Sequence, residues 1–231
     1  MRRFAFFLVL MLSSACRKPV EVRLEAGDAA AALGDWQEAR AQWQQAADAD
    51  ATSVQARTRL GYAAWALGDL AAAQRAWSEA AKLDPANAEA ADGLARVALE
   101  RHDAGAALAQ VNASPQVRVR ALLLRGDHAE ALKLARTLGT DDEARYLLGS
   151  ALLTNAQYDE ATKVFSALPP ALGEPGLAHV AAARALPEET LTHLAKAKVA
   201  QGARWDARLI AQDAAFEFIS DSPGFKALTA P

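Results

Sequence analysis

Part of this 231-residue chain is a copy of another part, and that repetition dictates its fold. The stretch LGDWQEARAQWQQAADADATSV, from Leu33, aligns with LGDLAAAQRAWSEAAKLDPANA, from Leu67, at an offset of 34 residues. Gly34 falls on Gly68, Asp35 on Asp69, Ala39 on Ala73, Trp43 on Trp77 and Ala46 on Ala80. Self-similarity at such a period marks a stack of supersecondary units, each too small to bury its apolar face alone and each completed by its neighbours. The residues say what the unit is. The chain is 52% hydrophobic but only 6% aromatic, so alanine and leucine carry its apolar content. Both are strong helix formers, which predicts pairs of helices. Small residues at Gly61 and Ala73 let two antiparallel helices approach, and Trp77 and Leu60 fill the space between them. The Gly-Asp pairs beginning at 34, 68 and 126 predict tight turns, with glycine ending one helix and aspartate capping the next. Pro85 cannot continue a helix interior and marks the boundary to the next unit.

This pattern resembles the tetratricopeptide repeat, a helix-turn-helix unit of 34 residues. The second copy matches the family's preferences throughout, with Gly61, Ala73, Trp77, Ala80 and Pro85 in place. A further copy, EARYLLGSALLTNAQYDEATKVFSAL, covers 143–168 with Gly149, Tyr158, Ala161 and Phe165 in their places. Two worn copies lie between. One runs from Ala88 to about Ser114 with Val111 at the aromatic place, and the other, about 115–139, keeps only RGDHAEALKLA. The tail AQDAAFEFISDSPGFKALTAP resembles the closing segment of bacterial tetratricopeptide proteins. That resemblance has Phe216, Phe218, Ile219, Phe225 and Leu228 covering the open end of the stack, a role solenoids require. Helices are expected at about 174–185 and 188–201, with Pro187 in the first turn of the second. The expected fold is an all-α right-handed solenoid of about five repeats over 23–168, with a helical C-terminal extension and cap over 169–231.

The N-terminus, MRRFAFFLVLMLSSAC, places Arg2 and Arg3 before an apolar run from Phe4 to Leu12, followed by small residues and the single cysteine of the chain, Cys16. This is the layout of a secretory signal over 1–15 and is too short to span a bilayer as a mature helix. It resembles a bacterial lipoprotein precursor. The family's leucine three residues before the cysteine is Ser13 here, with Leu12 one step back. The resemblance implies that Cys16 becomes the N-terminus and carries acyl chains, the palmitate class among them, with 16–22 as lipidated cysteine and short tether. Arg17 in place of aspartate implies sorting to the outer membrane, with the body facing the periplasm. Ordinary cleavage, releasing a soluble periplasmic protein, is the alternative. Removal of 1–15 leaves 23 basic against 28 acidic residues, a net charge of −5. No basic excess suits nucleic acid.

No catalytic constellation is visible, and the chain is read as not an enzyme. The histidines, His102, His128, His179 and His193, lack metal spacing, and no nucleophile elbow or phosphate loop occurs. His102 and His128 fall in turns and are expected to be solvated. Asp141, Asp142 and Glu143 start a helix, where acids offset its dipole. No cofactor, metal or small-molecule substrate is expected. The tetratricopeptide resemblance implies a concave groove that holds a peptide or helix of another protein. Its places fall on Thr58, Tyr62 and Trp65, then Glu89, Asp92, Arg96 and Leu99, then Arg120 and Leu123, then Tyr146, Ser150 and Leu153. Trp65 could instead pack on a neighbouring repeat. The family's clamp for C-terminal carboxylates is missing, because its places hold Leu24, Asp28, Arg59, Glu89 and Gly93. Together the two resemblances imply a lipid-anchored periplasmic adaptor binding another envelope protein, with a pilotin-like role in type IV pilus secretin assembly as the first specific expectation. A self-associating envelope scaffold is the alternative.

Overall fold

The computed structural model describes residues 19–230, and these are helical with no strand among them. The signal segment and Cys16 lie outside the described residues. Two compact units divide at Ala113/Ser114.

The first unit holds three helix pairs. They are α1 (Pro19–Ala32) with α2 (Trp36–Ala49), α3 (Val54–Ala66) with α4 (Leu70–Leu83), and α5 (Ala88–Glu100) with α6 (Ala104–Leu108). Helix α1 begins at Pro19, so residues 19–22, expected as tether, are helical; proline suits a first helical turn and Glu21 offsets the dipole there. The turns expected at 34 and 68 form with their caps; at 126 Gly126 takes φ of 88°, but the Asp127 side chain caps nothing and pairs with Arg125 instead. Gly34 and Gly68 take φ of 79°, and the side chains of Asp35 and Asp69 accept the backbone N–H of Glu38 and Ala72. The core is built on tryptophans. Trp77 is fully buried between α3 and α5, and an added Cβ at Gly61 or Gly93 would lie 2.4 or 2.2 Å from its ring. Only glycine admits the indole there. Trp77 Nε1–H donates to the Thr58 carbonyl at 3.1 Å, so the buried ring leaves no polar atom unpaired. One repeat earlier, Trp43 packs on Gly27 and shares its N–H between the Leu24 carbonyl and Asp28. The third pair lacks this hub. Val111, at the aromatic place, is 76% exposed, and α6 stops after five residues. Without a large apolar side chain to bury, the second helix has little to hold it.

The second unit comprises α7 (Pro115–Arg125) with α8 (His128–Ala135), α9 (Asp142–Thr154) with α10 (Tyr158–Ser166), and α11 (Pro170–Ala183) with α12 (Pro187–Gln201). Short helices α13 (Ala207–Gln212) and α14 (Pro223–Thr229) follow, with a 3-10 segment Ala214–Ile219 between them. Its hub is Phe165, buried against Gly149 of α9 and Gly176 of α11. Helix α11 therefore meets the hub as a further repeat does, and it starts at Pro170, earlier than the expected 174. Pro175 interrupts its hydrogen bonding. The carbonyl of Ala171, which loses a backbone donor to proline, accepts from Gln201 Nε2 at 3.1 Å instead. The tail closes over α11 and α12. Phe216, Ile219 and Phe225 are buried with Ala178 and Leu194, while Leu228 packs at the edge and its carbonyl accepts from Lys198 and Trp205. Phe218, expected in this cap, is 48% exposed, because Phe216 and Ile219 turn the other side of the 3-10 segment inward.

Candidate functional site

In the first unit the candidate residues occupy neighbouring helices. Tyr62 and Trp65 are one turn apart on α3. Glu89, Asp92, Arg96 and Leu99 follow a three- and four-residue spacing down one side of α5. The structure brings Tyr62 into the field of three of them. Burial raises its phenol above the ordinary value of 10.0, Glu89 raises it further, Arg96 opposes and Asp92 adds to the rise. The hydroxyl is thus held as a neutral donor and acceptor beside two carboxylates and a guanidinium. The ring is fixed from below, edge-on to Trp77 at 5.4 Å and 85°. Trp65 is 36% exposed, Glu89 is exposed, and Asp92, Arg96 and Leu99 are half-buried. This face joins aromatic surface to charge.

Thr58 does not share in it. It is 1% exposed, and its hydroxyl donates to the Val54 carbonyl at 2.9 Å. Its place in the repeat lies over the hub, where its own carbonyl receives the Trp77 indole. Arg59 is likewise engaged: its guanidinium binds both Asp28 oxygens, at 2.5 and 2.9 Å, tying α3 to α1. Opposite charges in successive repeats are the sequence signal for this pair.

The second unit offers a smaller surface on α9. Tyr146 is 37% exposed and leans on Phe165 at 5.9 Å, as Tyr62 leans on Trp77. Ser150 Oγ donates to the Tyr146 carbonyl at 2.9 Å, and Leu153 packs against the core. Arg120 pairs with Glu143 at 2.9 Å, and Leu123 joins the core edge. The candidate list therefore resolves into one face per unit. Asp141 caps α9 through the Ala144 N–H, and Asp142 lies 3.9 Å from Arg145, so these acids serve the helix start. His102 is exposed in its turn, but His128 Nδ1 is buried with no partner among the described residues, against the solvated reading. No group of metal-ligating side chains occurs among the described residues.

The tetratricopeptide repeat family model matches residues 24–73 and 58–116. No curated protein matches in sequence. Among solved structures, pilF of Pseudomonas aeruginosa superposes with a TM-score of 0.63 at 14% identity, covering 87% of this chain and 96% of that one. A tetratricopeptide repeat protein from Parabacteroides merdae gives 0.64 at 16% identity, covering 91% and 89%. Likeness at such identity establishes fold. Residues 24–116 carry tetratricopeptide repeats, and the chain as a whole has the all-α fold of proteins built from them.

Proposed function

We propose that this protein is a non-enzymatic adaptor, held by a lipid at Cys16 on the periplasmic side of the outer membrane, that binds a segment of another envelope protein. The observation that carries the reading is the face of Tyr62, Trp65, Glu89, Asp92 and Arg96. Tyr62 is fixed by the core beneath it, Trp65 adds exposed aromatic surface one turn on, and charge rims both, the composition of a binding hot spot. Residues 19–113 hold 14 Asp and Glu against 8 Lys and Arg, a net of −6, so the partner segment is basic as well as apolar. The anchor reading rests on the Arg2–Cys16 layout. Helix α1 starts three residues after Cys16, which keeps the first unit close to the bilayer surface. A pilotin-like role in type IV pilus secretin assembly is the specific form of this proposal, by analogy of fold and anchor.

In-cell crosslinking of the full-length protein, beside a Trp65→Ala variant and a Tyr62→Ala, Trp65→Ala double variant, tests the face. One envelope protein enriched with the wild type and lost from both folded variants supports it. Capture of only a second copy of this chain, or unchanged capture by folded variants, overturns it in favour of a self-associating scaffold or another surface. For the anchor, Cys16→Ser is expected to abolish palmitate labelling and release the protein from the membrane fraction; retained labelling sinks that part.

A further inference from the structure

The second unit contains a cleft that the adaptor reading does not use. It has a volume of about 420 Å³ and opens between the end of α8, the loop from α8 to α9, and the facing sides of α9 and α10. Its floor is apolar, from Leu138, Leu148 and Val164, each half-buried at the edge of the core. Its charged lining is entirely cationic: Arg136, Arg145 and Lys163. No carboxylate lines it, although the chain has 28 acidic residues against 25 basic ones. Arg136 is ion-paired, whereas Arg145 and Lys163 lack a close carboxylate among the described residues. Arg136 reaches out of the cleft to Gln157 and Glu160, at 3.0 and 3.1 Å. Arg145 has Asp142 only at 3.9 Å, and Lys163 has no ion-pair partner among the described residues. The loop residues Gly139 and Thr140 also line the cleft, and their backbone N–H groups donate to no described residue.

We propose that this cleft binds an anion carried on a short apolar body, a carboxylate with a few carbons behind it. The apolar part fills the floor, and the carboxylate takes charge-assisted hydrogen bonds from Lys163 and Arg145 at the rim. The size lies within the range of small-ligand sites, and the mixture is their usual one, a mainly apolar lining with a few convergent polar groups. An uncharged apolar ligand would leave the cations unused. A bare inorganic anion would leave Leu138, Leu148 and Val164 wet. The carboxylate could belong to a free short-chain acid or to the end of an apolar peptide. This proposal concerns the second unit and stands or falls independently of the face on α3 and α5.

Amide spectra of isotope-labelled full-length protein, titrated with hexanoate, hexanol and inorganic phosphate, test it. Hexanoate is expected to shift the signals of residues 138–148 and 163–167, with hexanol and phosphate each about tenfold weaker. Lys163→Glu, at an exposed position, should weaken hexanoate about tenfold while leaving the remaining spectrum in place, and Lys163→Arg should retain binding. Equal binding of hexanol, no shifts with hexanoate, or an unaffected Lys163→Glu variant overturns the proposal. A parallel titration with acetyl-Ala-Leu and its C-terminal amide separates the sources. An acid-specific gain over hexanoate assigns the cleft to peptide ends, and its lack, with hexanoate bound, assigns it to free acids.

Discussion

The first two helix pairs of the first unit close on tryptophan, whereas α9, α10 and α11 of the second close on phenylalanine. Both hubs sit against glycines of two helices: Gly61 and Gly93 around Trp77, Gly149 and Gly176 around Phe165. The difference lies in the polar handle. Trp77 is hydrogen-bonded to the Thr58 carbonyl, whereas Phe165 is held by shape alone. A tyrosine leans edge-on against each hub and projects from the same unit's exposed face. The repeat thus keeps an aromatic wedge between glycines and lets the chemistry of the wedge vary. The indole adds fixity, and with it a rigid base for Tyr62.

Four measurements test this contrast between the two units. The largest effect is expected from emptying the hubs. Trp77→Ala and Phe165→Ala should each cost about 3–5 kcal/mol in denaturant unfolding, through lost burial and a residual cavity. A mild loss at either position would mean that the helices collapse onto the space and the wedge picture is wrong. Next come the glycines. Gly61→Ala places a methyl 2.4 Å from an indole that cannot slide without losing its bond, while Gly149→Ala meets the phenyl ring at 2.7 Å. The first should cost about 2–3 kcal/mol and the second less, because a ring held only by shape can yield; the gain in helix propensity offsets part of both. The reverse order would refute the role given to the indole bond.

The turns give a smaller, signed effect. Gly68 has φ of 79° with open space around it, whereas Ala156 and Ala185 hold φ of 57° and 54° at the equivalent turns of the second unit. Gly68→Ala should destabilise by about 1 kcal/mol, and Ala156→Gly should raise stability by a fraction of that, as relief of the left-handed conformation exceeds the entropy glycine adds to the unfolded chain. The smallest effect is the titration of Tyr62. A folded-state value above the ordinary 10.0 means that the native state holds its proton more tightly. The associated stability is intact below that pH and is lost as pH rises through the folded value. Tyr62→Phe should remove this part of the alkaline loss, and the wild type's phenolate absorbance should hold a late-titrating component that the variant lacks.

Legibility differed between the units for physical reasons. In the first, the 34-residue spacing carried Trp43, Trp77, Gly61 and both aspartate-capped turns into the structure as expected. In the second, Gly126 keeps the glycine turn, and the later turns reach the same geometry with other residues. Ala156 and Ala185 stand where the turn favours glycine, and Gln157 and Leu186 stand where aspartate caps elsewhere. The packing of α11 on Phe165 was hidden because the helix was expected to begin at about 174, with Pro175 in its first turn; the structure carries it back to Pro170, with Gln201 of another helix supplying the donor that Pro175 lacks. The faces were legible in outline. The tetratricopeptide resemblance named Tyr62, Trp65 and the α5 charges, which lie on the neighbouring helices α3 and α5, but it could not tell that Thr58 turns to the hub. The cationic cleft was invisible because its three charges come from different stretches of chain.

The five-residue α6 has a consequence for anyone cutting or extending this molecule. Beyond it, Ala109, Val111 and Asn112 are exposed, just before the boundary at Ala113/Ser114. Exposed segments of this kind are where proteases nick first and where inserted sequence is tolerated. The worn third repeat is therefore the natural seam for a reporter domain, a cleavage site or a split-protein pair, with a tryptophan-wedged module on one side and a phenylalanine-wedged module on the other.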